Sequence, residues 1–64
     1  MLTERQQQVL ALVAQGKRNE QIASELGLTK GTVQGYIQHI KMRLRLENRV
    51  QLALYWTEQQ RATA

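Results

Sequence analysis

The chemistry in this chain is concentrated between positions 30 and 49. Lys30, Lys41, Arg43, Arg45 and Arg49 stand there against a single acid, Glu47. Ammonium and guanidinium groups at this density can neutralise phosphates, and both can donate to the acceptor edge of guanine. Gln34 and Gln38 lie among them, and a glutamine amide suits bidentate contact with adenine. Outside this segment the charges cancel: Arg5, Lys17 and Arg18 balance Glu4, Glu20 and Glu25, and Arg61 balances Glu58. The formal net charge of +4 therefore resides wholly in residues 30–49.

Other kinds of chemistry lack their parts. The 64 residues contain no Cys and no Asp, one Ser (Ser24) and one His (His39). Such a chain cannot assemble a Ser/His/Asp or Cys/His nucleophile or a multi-ligand metal site. We expect no catalytic residue, no metal, no cofactor and no enzymatic activity. His39, on a polar helix face beside Met42, is expected to meet phosphate or solvent. The longest apolar run, Val9 to Ala14, is far short of a membrane span, and an intracellular, cytoplasmic protein is expected.

The elements that must position these residues are helical. There is no Pro, β-branched residues are few, and Gln, Leu, Ala, Arg and Glu dominate. Thr3 and Gln6 have the spacing of a capping box and open a first helix over about 4–15, burying Leu2, Val9, Leu12 and Val13, with Gly16 ending it. Asn19 is expected to cap a short helix over 20–26, burying Ile22, Ala23 and Leu26, and Gly27 stops it. Thr29 caps a third helix over 30–44 with an apolar stripe of Val33, Tyr36, Ile37, Ile40 and Leu44. Asn48 caps a fourth over 49–60. The fold class is all-α: a four-helix bundle, one domain over 1–64.

A short helix, a three-residue turn containing Gly27, Leu28 and Thr29, and a longer basic helix form the layout of a helix-turn-helix. Opposite the core stripe, Gln34, Gln38, Lys41 and Arg45 recur at spacings of four, three and four, with Lys30 aligned ahead of them and Gly35, His39 and Met42 alongside. The N–H groups of Lys30 to Thr32, at a helix N-terminus, would suit a phosphate. Lys30, Thr32, Gln34, Gly35, Gln38, His39, Lys41 and Arg45 are thus the expected contacts to double-stranded DNA.

Leu2 to Arg5, Val9-Leu10, Gly16 with Asn19, Ile22-Ala23, Leu26, Leu28-Thr29, Thr32-Val33, Leu44, Leu46, Asn48-Arg49 and Ala53 together resemble the LuxR/GerE-type helix-turn-helix domain. This is the output domain of NarL/FixJ response regulators. Region 4 of sigma factors shares the Gly31-Thr32-Val33 start but not the tail from Leu44 to Ala53. The resemblance spans about residues 2–60 and implies a transcription regulator, DNA read by the third helix, and dimerisation through the fourth. Departures occur at Gln6, where Glu is usual; at Arg18, where Ser or Thr is frequent; and at Gln34, where Lys is familiar. Gly35 stands at a base-facing position. Gly31 and Gly35 either permit close approach to a DNA backbone or mark reduced direct contact.

The fourth helix is apolar on two sides. Val50, Ala53, Leu54 and Thr57 are expected to face the core, leaving Leu52, Tyr55, Trp56 and Gln59 outward as a homodimer interface. A symmetric pair would read an inverted repeat. RNA polymerase or another regulator would be a further partner, and no membrane is involved. The competing reading is a small helix-turn-helix protein that pairs with another regulator and inhibits it.

Overall fold

The computed structural model describes residues 2–63. Four helices follow in order: α1 (Glu4–Ala14), α2 (Asn19–Leu26), α3 (Lys30–Leu44) and α4 (Arg49–Thr63), with no strand among the described residues. The all-α, four-helix arrangement agrees with the sequence reading, and each boundary has a local cause.

At the start of α1 the capping box is complete. The Gln6 N–H donates to Thr3 Oγ1 (3.1 Å) and the Thr3 N–H donates to Gln6 Oε1 (2.9 Å), satisfying two amides that have no partner within the helix. Gly16, at φ 84°, ends α1 with a pair of reversed bonds, Gly16 N–H to the Val13 carbonyl (3.0 Å) and Lys17 N–H to the Leu12 carbonyl (3.2 Å). At the end of α2, Gly27 takes φ 67° and the Leu28 N–H donates to the Ala23 carbonyl at 2.9 Å. The Thr32 N–H donates to Thr29 Oγ1 (3.1 Å) to open α3, and the Gln51 N–H donates to Asn48 Oδ1 (2.9 Å) to open α4.

Asn19 departs from its expected place as a cap. The N-cap position of α2 is Arg18, whose N–H donates to Gln21 Oε1 at 2.8 Å. The Asn19 side chain is committed elsewhere. Its Oδ1 accepts from Arg49 Nη1 at 2.6 Å, while Arg49 Nη2 donates to the Lys17 carbonyl at 2.6 Å. One guanidinium at the start of α4 thus holds the α1–α2 turn with both arms of its fork, a geometry that a lysine cannot reproduce.

The core consists of Val9, Leu10 and Val13 from α1, Ile22 and Ala23 from α2, Val33, Ile37 and Ile40 from α3, and Leu52 from α4. Because α1 packs against α2, α3 and α4, a broad arc of it is covered. Leu10 is therefore fully buried, while Leu2 and Leu12 pack at the margin.

In α4 the expected sides are exchanged. Leu52 is 0% exposed, and Tyr55 and Trp56 pack partly buried against the core, whereas Val50 is 68% and Leu54 61% exposed. Both sides are apolar, so periodicity alone does not choose between them. Area does: Leu, Tyr and Trp together remove more apolar surface from water than Val, Ala and Leu. Leu52, Tyr55 and Trp56 are thus core and core-margin residues of α4, and Gln59 is exposed.

Among the described residues, no helix is long and apolar enough to cross a membrane. Nor does any group of three or more His, Cys, Asp or Glu side chains stand where it could hold a metal ion.

Candidate nucleic-acid interface

Helix α2, the turn Gly27–Thr29 and helix α3 hold one another through Ile22 and Ala23 on one side and Val33 and Ile37 on the other. Burial of Val33, Ile37 and Ile40 fixes the rotation of α3 about its axis, so the opposite arc points to solvent. That arc contains Gly31, Gly35, Gln38 and Met42, with Gln34 and His39 at its two edges, all exposed. Met42, 77% exposed, is its one large apolar side chain.

Two flanks border the arc. Lys30, Gln34, Lys41 and the C-capping Arg45 lie on one, and Thr32, Tyr36 and His39 on the other. Lys30 and Arg45 are exposed and Lys41 is half-buried. Among the described residues no ion pair holds Lys30, Lys41 or Arg45. Lys17, by contrast, is paired with Glu25 at 3.3 Å, and Arg49 is bound to Asn19. Of the cations counted in residues 30–49, Arg49 therefore serves the fold.

Three features of the site were not anticipated from the residues. The Thr32 N–H, expected to await a phosphate, is taken by the Thr29 hydroxyl, and the two hydroxyls lie 2.8 Å apart. The amides of Lys30 and Gly31 remain at the helix start, where an α-helix supplies no partner. Second, Arg45 sits at φ 57°, the one non-glycine residue in the left-handed region among those described. A side chain there costs roughly 1–2 kcal/mol. It turns the chain out of α3, with the Leu46 N–H donating to the Lys41 carbonyl at 2.9 Å, and sets the guanidinium beyond the helix end. Third, a Cβ built on Gly31 or Gly35 would meet nothing within 4 Å, so no neighbour in this chain requires either glycine.

Gln6 of α1 and Thr32, Gly35, Tyr36 and His39 of α3 line a groove of about 260 Å³. A second cleft of about 420 Å³ lies against the outer side of α2, lined by Lys17, Arg18, Glu20, Gln21, Ser24 and Glu25.

Residues 1–56 match the GerE family model, described as bacterial regulatory proteins of the luxR family. The chain is 46% identical over 50 residues to the transcriptional regulatory protein DesR of Bacillus subtilis, covering 78% of this chain and 25% of DesR. It is 38% identical over 60 residues to the nitrate/nitrite response regulator protein NarL of Escherichia coli K12, covering 94% of this chain and 27% of NarL. With the two-component response regulator PprB of Pseudomonas aeruginosa the identity is 47% over 53 residues, 83% of this chain and 19% of PprB. The chain thus spans about a quarter or less of the length of these relatives.

Proposed function

The chain belongs to the luxR family of bacterial regulatory proteins, and from that premise we propose that it binds double-stranded DNA as a transcription regulator or the output domain of one. The observation that carries this reading is the outward arc of α3. It is rotated away from the core by Val33, Ile37 and Ile40, and it is flanked by Lys30, Lys41 and Arg45, none of them held in an ion pair. A helix of about 10–12 Å diameter fits a major groove about 12 Å wide.

In this reading Gln34 and Gln38 read adenine, Lys30, Lys41 and Arg45 neutralise phosphates, and Thr32 and His39 contact the backbone alongside. Gly31 and Gly35 let the helix spine approach the base edges, because nothing inside the protein needs them to be small.

Pairing occurs through α4, on the face of Val50, Ala53, Leu54 and Thr57. Val50 and Leu54 are more than half exposed there, on the opposite side of the helix from Leu52. A twofold pair presents two copies of α3 to an inverted repeat. The same apolar face supports a second reading, in which the chain pairs with another regulator and blocks it. RNA polymerase is a further partner of the first reading.

Fluorescence polarisation with a specific duplex separates the two. DNA binding predicts affinity that falls steeply with salt, with Gln34→Ala and Gln38→Ala lowering discrimination and Lys41→Ala and Arg45→Ala weakening all sequences alike. Duplex binding absent even at low salt, with tight association to another helix-turn-helix domain, would support the second reading.

A further inference from the structure

We propose that the groove between α1 and α3 seats a phosphodiester of the DNA strand facing the Thr32–His39 flank, with Gln6 as a backbone contact outside the helix-turn-helix. This rests on α3 lying in the major groove. A helix that nearly fills that groove meets a phosphate strand on each side. The Lys30, Lys41 and Arg45 flank accounts for one strand. On the other flank the structure provides a groove lined by Gln6, Thr32, Gly35, Tyr36 and His39.

Its chemistry fits an anion. No carboxylate lines it, and Gln6, Thr32, Tyr36 and His39 can each donate a hydrogen bond. The amide of Gln6 is oriented by the α1 cap: Oε1 accepts from the Thr3 N–H at 2.9 Å, leaving Nε2 and its two hydrogens for the groove. Gly35 contributes no side chain, and a Cβ there would meet nothing within 4 Å, so the groove stays open toward the base-facing arc. The larger cleft against α2 is the contrary case. Glu20 and Glu25 line it, and Lys17 is already committed to Glu25. A glutamate at position 6 would place an anion at the mouth of the α1–α3 groove, so the seat depends on this chain's Gln6.

Gln6→Glu is the discriminating substitution, because a carboxylate still accepts from the Thr3 N–H and keeps the cap while removing the donor. Binding of the 64-residue chain to a duplex recovered by selection should weaken at least about tenfold, since like charges are brought together, with the thermal midpoint unchanged. A scan of single neutral methylphosphonates should find one position in each half-site at which the wild-type and Gln6→Glu proteins bind alike. Should Gln6→Glu fail to fold, His39→Ala, at an exposed position, should lose affinity in the same scan and converge with wild type at the same phosphate. Unchanged affinity of Gln6→Glu while Gln38→Ala still weakens binding would overturn the groove and leave the reading of α3 standing. A penalty that no single methylphosphonate removes would also overturn it. Failure of Gln38→Ala and Gln6→Glu alike to change binding would remove the reading of α3 itself.

Discussion

Arg49 and Asn19, thirty residues apart, are joined by a 2.6 Å hydrogen bond from Nη1 to Oδ1, and the second arm of the same guanidinium reaches the Lys17 carbonyl. The start of α4 is thereby fastened to the turn that launches α2, and through α2 to the presentation of α3. The contact is partly buried, so breaking it leaves polar groups with poor access to water. Arg49→Lys, which keeps the charge but loses the fork, should lower stability by about 1–3 kcal/mol in urea unfolding. DNA affinity measured where the variant remains folded should change little, because Arg49 is engaged in the fold.

The exchange of sides in α4 gives a paired test. Leu52→Ala removes a fully buried side chain and should cost about 2–5 kcal/mol, a large fraction of the stability of so small a domain. Leu54→Glu, at a position 61% exposed, should leave unfolding of the monomer within about 0.5 kcal/mol and weaken self-association in sedimentation equilibrium. The reverse pattern, with position 54 governing stability and 52 governing pairing, would restore the arrangement expected from the sequence.

Much of the fold was legible in the residues because its punctuation is local. Thr3 with Gln6, Gly16, Gly27, Thr29 and Asn48 act within four positions of themselves, and each does in the structure what its type implies. What could not be read in that way depends on distant partners. Asn19 is a competent cap by type, but Arg49 competes for its oxygen from across the chain. Leu10 becomes core only because three helices converge on α1. The two faces of α4 are comparably apolar, and only packing against α1 selects one, although the aromatic weight of Tyr55 and Trp56 was a usable signal. Gln6 read as a capping residue and as a departure from the usual Glu, but not as part of a groove, since only the tertiary fold sets α1 beside Tyr36 and His39.

Arg45 separates stability from binding. Glycine at a left-handed C-cap relieves the strain of a side chain at φ 57°, so Arg45→Gly should stabilise the chain by about 1 kcal/mol. On the proposed reading of α3 the same change removes a phosphate contact. The slope of log affinity against log salt should fall by about 0.9 per subunit. Thermal unfolding and a salt titration of duplex binding measure the two effects independently.

Gly35 makes the corresponding test at the middle of the arc. A methyl there meets nothing in the protein, and alanine replaces the poorer helix former, so Gly35→Ala should add about 1 kcal/mol of stability. Between the helix and the base edges the same methyl should obstruct approach. Specific affinity should drop while non-specific affinity at low salt is retained, a comparison made by titrating specific and scrambled duplexes.

Selection from a randomised duplex pool with the purified 64-residue chain tests most directly the claim that α3 reads DNA as one of a twofold pair. The expected product is an inverted repeat with A·T pairs at the positions read by Gln34 and Gln38, altered at those pairs when selection is repeated with Gln38→Ala. Recovery of no enriched duplex, even at low salt, would contradict the account.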